Sequence, residues 1–155
     1  MPRSYVLPIS ALTSLTAVPF AQLATPATTG ITIFGIELGQ ETSETSQQEV
    51  LQLNRRTTAS TLPTSTTPLK LGGPNDPASL LTGSTTTNAT GIASASGTTG
   101  NIIILPPFNV LNGFLWYPPQ EGRVIVPPSS FIVLEFKTAP AANTWSGAIY
   151  YFEND

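Results

Sequence analysis

Nine carboxylates are the chain's candidates for acid–base chemistry: Glu37, Glu41, Glu44, Glu49, Asp76, Glu121, Glu135, Glu153 and Asp155. A glycosidase needs two of them facing each other across a cleft, one with a raised pKa. Four fall in the polar stretch Glu37–Glu49. Glu135 and Glu153 can share one face of a final hairpin, but several residues apart along it. The chain has no histidine and no cysteine, which removes the usual general base, the nucleophile–His–Asp arrangement, the commonest metal ligand and any disulfide framework. No glycine-rich phosphate loop follows a strand, and neither a calcium loop nor zinc-ligand spacing occurs. These absences point away from an enzyme and from a cofactor or metal.

Charge gives the same answer about partners. Lys and Arg number six, charged residues make up 10% of the chain, and the formal net charge is −3. Phosphate binding needs clustered cations, so no nucleic-acid partner is expected. Arg55 and Arg56 are the one adjacent pair, and on a strand their side chains point to opposite faces. One can snorkel over a sheet edge; an ion pair to a neighbouring chain is the functional alternative. Ser and Thr make up roughly a quarter of the residues, well above ordinary usage.

The elements that must carry any site are strands. From Asn101 to Phe152, short β-branched and aromatic runs alternate with Pro106-Pro107, Pro118-Pro119 and Pro127-Pro128. Proline cannot donate to a ladder, so each pair separates two strands. The longest runs are Phe131–Lys137 and Trp145–Phe152, joined by Thr138–Thr144, where Pro140 and Asn143 suit a turn. Paired as a hairpin with Lys137 opposite Trp145, they place Phe131, Val133, Trp145, Ile149 and Tyr151 on one face with Glu135 and Lys137. The other face carries Ile132, Leu134, Phe136, Ala148 and Tyr150. Both faces are apolar, although a lone sandwich should leave one wet and polar. The charged residues mark the first face as outward, which makes it a candidate subunit contact.

Earlier in the chain, Met1–Phe20 has one Arg and an apolar run broken by Pro8 and by Ser and Thr. It reads as an extended N-terminal arm or first strand in preference to a secretory leader, and it is too short and too interrupted to span a bilayer. Gly30–Gly39 is a strand with Ile31, Ile33 and Gly35 on one face and Phe34, Ile36 and Leu38 on the other. Glu49–Ala59 is another, with Leu51 and Leu53 inward. Ser60–Pro77 is loop. Asp76 as N-cap and Pro77 as first helical residue predict one short helical turn. Gly83–Gly100 is low in complexity, and its small β-compatible residues favour an ordered strand or long hairpin over a flexible linker.

Several segments resemble small proteins encoded among the structural genes of tailed bacteriophages. They are the opening MPRSYVLPISALTSLTAV, Gln52–Ala59, Asn75-Asp76-Pro77-Ala78, Phe108–Gly113 followed by Trp116, and a closing set. That set comprises Pro127-Pro128, Thr138–Ala142, Ser146-Gly147 and Phe152-Glu153. The likeness covers nearly the whole chain, on turns and strand ends without a chemical signature. That family is similar to capsid decoration, or cement, proteins. The resemblance implies an all-β, antiparallel jelly-roll sandwich, with residues 1–28 as arm or first strand and 29–155 as the domain. It further implies a homotrimer on the outer surface of the virion's capsid, partnered by itself and the major capsid protein and bridging neighbouring capsomers, with no nucleic acid and no membrane. On this reading Phe131, Val133, Trp145, Ile149 and Tyr151 lie at the subunit contact, and Arg3, Tyr5, Leu7, Arg55 and Arg56 touch the capsid. The alternative is a tail- or fibre-associated jelly-roll module whose exposed Trp and Tyr stack on host surface carbohydrate.

Overall fold

A computed structural model describes residues 3–13, 15–42, 46–141 and 143–154. Glu44 and Asp155, two of the nine carboxylates, and Ala142 in the last connection lie outside them. The strands are β1 (Arg3–Thr13), β2 (Ala21–Ala24), β3 (Gly30–Gln40), β4 (Gln48–Glu49), β5 (Leu51–Arg56), β6 (Thr64–Ser65), β7 (Leu69–Lys70), β8 (Ala89–Thr90), β9 (Thr99–Ile104), β10 (Phe108–Asn109), β11 (Phe114–Trp116), β12 (Val124–Val126), β13 (Phe131–Phe136) and β14 (Thr144–Asn154). One 3-10 turn, Gln120–Gly122, is the only helical element among the described residues. Each Pro-Pro pair falls between strands, as the missing donor requires.

The chain is all-β. A first sheet runs β11-β3-β14-β1-β7, with β12 also on β3. A second runs β6-β8-β2-β13-β5-β9, and β4 and β10 form a separate pair. Every strand pairing is antiparallel. The two large sheets share one apolar core. Phe136 of the second sheet meets Trp145 of the first at 5.2 Å between ring centroids, and Phe20 meets Phe136 at 5.5 Å. Leu7, Ile33, Ile36, Leu51, Leu53, Ile132 and Leu134 fill the space between them. Fully burying an aliphatic side chain of this size stabilises by roughly 1.5–3 kcal/mol.

The expected final hairpin does not form. β13 pairs with β2 and β5, whereas β14 pairs with β1 and β3. The connection between them crosses from one sheet to the other, a gap of about 10 Å between stacked sheets. The two strands therefore face each other through the core. This inverts the expected orientation of β14: Trp145, Ile149 and Tyr151 point inward and are buried. Ile132, Leu134 and Phe136 point inward as expected.

Residues Arg3–Thr13 form a strand held between β14 and β7, so the opening segment is the first strand of a sheet and not a free arm. Pro8 is tolerated there because β7 reaches only Tyr5 and Val6. The Leu71 amide bonds the Ser4 carbonyl, so every second residue from Ser4, Pro8 included, directs its backbone groups to that side, where Pro8 meets an open edge. In β3 a bulge pairs Tyr150 with Gly35 but Tyr151 with Ile33. The extra residue, Phe34, resets the alternation. Ile31 and Ile33 before it, and Ile36 and Leu38 after it, all point into the core, although a regular strand would put the two pairs on opposite faces.

No helical turn forms at Asp76-Pro77. The Asp76 amide closes a turn onto the Gly73 carbonyl, and the following residues reach the end of β14 without regular structure. There the Glu153 carboxylate accepts from Ser79 Oγ at 2.6 Å and from the Leu80 amide at 2.7 Å, which removes the amide a helix would need. Gly83–Gly100 is ordered, chiefly as turns and short bridges and not as one long hairpin.

Candidate interaction surface

The outer faces of the two sheets differ. That of the second sheet is polar and covered. Glu135, Asn54 and Gln22 on it are buried, as is Ser60 in the segment that follows β5. Gln22 Nε2 donates to the carbonyls of Ser60 (3.2 Å) and Thr87 (2.9 Å), and its Oε1 accepts from the Ser60 amide at 2.8 Å. Asn88 Oδ1 accepts from the Ala24 amide at 3.0 Å. The Thr- and Ser-rich excursion between β5 and β9 thus lies over this face and supplies the partners of the buried Gln22 amide.

Among the described residues no comparable segment lies across the outer face of the first sheet, which is largely apolar. Cross-strand register lines up Leu69, Val6, Tyr150 and Gly35 in one row. A second row holds Leu115, Glu37, Ala148 and Pro8, and a third Ile125, Thr32, Phe152 and Ser4. Leu115 is 72% exposed, Ile125 61% and Tyr117 51%.

The aromatic side chains on this face are locked together. The bulge turns Phe34 outward, and its ring stacks on Phe152 at 4.2 Å and leans on Tyr150 at 6.1 Å. The Arg123 guanidinium carbon lies 5.6 Å from the centroid of Phe152, within cation–π range. Tyr117 lies over Gly35: a Cβ at that glycine would come within 2.3 Å of the ring. The Tyr117 and Tyr150 hydroxyls both donate to the Glu37 carboxylate, Tyr150 at 3.1 Å. Loss of solvent, followed by the hydrogen bond to Glu37 and its charge, moves both phenols above the ordinary tyrosine range. Of the two charged groups here, one is tied to two phenols and the other covers a ring.

The sequence-predicted contact residues do not lie on this face. Trp145, Ile149 and Tyr151 are in the core, so they cannot reach a sister copy, and Trp145 cannot serve as a sugar platform. Val133 is buried on the covered side of the second sheet, between its register partners Gln22 and Asn54. Phe131 is half-buried beside Ala24, Thr25 and Leu80. Of the expected capsid contacts, Tyr5 and Leu7 are core residues and Arg3 is exposed. Arg55 donates to the Ile125 carbonyl at 2.9 Å, tying the second sheet to the first, and Arg56 pairs with Glu135 of its own chain at 2.6 Å. The outward residues Phe34, Tyr117, Leu115 and Ile125 were missed. The signal available was that β14 is apolar at both parities; the charge of Glu135 does mark the outer side of β13, but β14 lies in the other sheet, so the expected hairpin carried that choice to the wrong side of β14.

Glu135 and Glu153 sit in different sheets and do not form a facing pair. Glu135 accepts from Gln52 (2.8 Å), Asn54 (3.0 Å) and Arg56 (2.6 Å). Among the described residues no three acidic side chains gather closely enough to hold a metal. No protein-family model matches the chain, and no curated protein or solved structure matches it either.

Proposed function

We propose that the chain is a non-enzymatic structural protein of a bacteriophage particle, a homotrimer with a jelly-roll fold that decorates the outside of the capsid and braces neighbouring capsomers. The sequence likeness supplies the phage setting. The observation that carries the reading is the uncovered apolar face built on β3 and β14. An antiparallel sheet facing water is normally polar on that side, and contiguous exposed apolar surface marks a contact site. Copies of the chain join through Phe34, Tyr117, Leu115 and Ile125 under this reading, and not through Trp145 and its neighbours. Its partners are itself and the major capsid protein, and a function of this kind requires no reactive group. The test is the mass of the purified chain by light scattering, followed by cosedimentation with phage heads stripped of decoration. A trimer that binds stripped heads is expected; a monomer at every concentration that fails to sediment with them removes the proposal.

One observation favours the second reading, a tail or fibre module that binds host carbohydrate. A hollow of about 390 Å³ on the same face is lined by Thr32, Gln120, Arg123, Ile125, Phe152 and Asn154. An aromatic wall with a few converging polar groups suits a small polar ligand. Glycan binding that Arg123→Ala abolishes would select this reading.

A further inference from the structure

Among the described residues, β9 is the last strand of the second sheet, pairs with β5 and has no strand on its other side. The Leu105 amide bonds the Leu51 carbonyl at 3.0 Å, which fixes the alternation: Leu105 and Ile103 direct their backbone groups toward β5, and Ile102 and Ile104 direct theirs away from it. Ile104 is 60% exposed and Ile102 47%, and Asn101 and Gly100 are exposed as well. Thr98–Leu105 contains no charged residue and no proline, and Pro106-Pro107 follows. Proteins ordinarily blunt an edge with Lys, Pro or a covering loop. Here three isoleucines stand in succession on the edge, and Ile102 and Ile104 turn their N–H and C=O groups outward.

An edge, unlike an apolar face, specifies the chemistry of what covers it: an extended backbone in hydrogen-bonding register. We propose that β9 pairs antiparallel with β9 of a second copy, which joins two second sheets into one across a twofold axis. The edge is suited to its own copy. It carries no charge to repel a like strand, and it offers isoleucine on both sides of the sheet, so each copy meets side chains of its own kind. The register that uses every outward group sets Ile102 opposite Ile104 of the second copy and Ile103 opposite Ile103. The contact lies on a different sheet from the face assigned above to the trimer, so it stands or falls separately from the decoration reading and adds pairing between assemblies to it.

Two variants test it. Ile104→Pro removes an N–H that β5 does not use, so the strand keeps its ladder while losing its outward donor. The chain has no cysteine, so Ile103→Cys introduces a single thiol. In the stated register it meets its own copy in a non-hydrogen-bonded pair, with Cα atoms about 4.5 Å apart, inside the range a disulfide spans. Sedimentation equilibrium should show the parent protein doubling in mass as concentration rises. Ile104→Pro should abolish that doubling with an unchanged far-ultraviolet spectrum, and oxidised Ile103→Cys should trap a covalent pair. A mass indifferent to Ile104→Pro, or no covalent pair from folded Ile103→Cys, overturns the pairing. Loss of the trimer mass with the doubling intact would instead strike only the decoration reading.

Discussion

Arg56 Nη2 lies 2.6 Å from Glu135 Oε2, both side chains almost wholly out of solvent on the covered side of the second sheet. Arg56 Nη1 also holds the Gly97 carbonyl at 2.7 Å and Thr99 Oγ1 at 2.8 Å. The pair is therefore a fastener. It satisfies a carboxylate under the Ser/Thr-rich excursion and pins the end of that excursion where it returns to β9. Removing one member of a buried pair leaves the other uncompensated, a loss of about 3–5 kcal/mol. Arg56→Met should lower the denaturant midpoint accordingly, and Arg56→Met with Glu135→Met should recover much of the loss. A double variant no better than the single would show that the attachment of residues 97–99, not the unpaired charge, is what matters.

Gln22 is the second fastener. Its amide makes three bonds to Ser60 and Thr87 from a fully buried position. Gln22→Ala would leave two carbonyls and an amide without partners, each buried group left so costing about 1–3 kcal/mol. Hydrogen exchange should accelerate at the Ser60 amide and through the excursion, while β1, β3 and β14 keep their protection. Uniform acceleration would mean that the covering segment and the sandwich unfold as one unit.

These two contacts also mark where the sequence stops being informative. Strand positions were legible because Pro-Pro punctuation and β-branched runs are local signals, and Leu51 and Leu53 face inward as their alternation says. Sheet membership was not, because a seven-residue connection closes a hairpin or crosses between sheets equally well. Phe34 shows the same limit within one strand. A bulge is set by the neighbour it pairs with, here β14, and strict alternation cannot foresee it. Glu135 shows a third limit: it marks the outer side of its own strand, as a charge normally does, but the segment that covers that side and the Arg56 that pairs with it lie far away in sequence. The apolar outer face of β14 was visible as surplus hydrophobicity, but the choice of side required the topology.

Tyr117 and Tyr150 share Glu37, and burial followed by that carboxylate raises both phenols; Tyr151, held in the core, is raised chiefly by burial. A raised phenol keeps its proton in the fold after the unfolded chain has lost its own. The stabilisation is thus complete below the ordinary tyrosine value of about 10 and is lost as pH rises through the folded values. Phenolate absorbance should stay low above pH ~10 and then rise together with unfolding. Glu37→Gln should bring forward the ionisation of Tyr117 and Tyr150 alone, leaving Tyr151 to report the global transition. Simultaneous ionisation of all three in the variant would remove Glu37 from the account.

Glu49 is buried, its Oε1 has no hydrogen-bond partner among the described residues, and loss of solvent raises its pKa above the ordinary glutamate range. The sign follows from linkage. Between the unfolded and folded values the native state holds the proton more tightly, so the group's contribution is present below the unfolded value and lost as pH rises through the folded one. At neutral pH the ionised carboxylate therefore weakens the fold. Glu49→Gln should raise the melting temperature at pH 7, and the gain should disappear in acid, where the parent's carboxyl is protonated too. An equal gain at both pH values would trace it to the amide's own contacts instead of to charge.

The uncovered face yields the prediction most directly tied to function. Ile125 and Leu115 stand at its two ends, each well over half exposed, so a charged side chain at either meets water in the isolated chain and should change stability by no more than about 0.5 kcal/mol. In an assembly sealed by this face the same charge is buried without a partner and opposes association strongly. Ile125→Lys and Leu115→Lys should each shift the mass by light scattering toward the monomer without moving the melting curve, and Lys137→Glu, away from the face, should do neither. The Tyr117–Glu37–Tyr150 cluster gives an internal check. Gly35→Val would drive the Tyr117 ring off the sheet, since even a Cβ at that position approaches it to 2.3 Å. Association should weaken there as well, although no charge has been added. Full association by all three variants would place the subunit contact elsewhere on the molecule and leave this apolar sheet as plain surface.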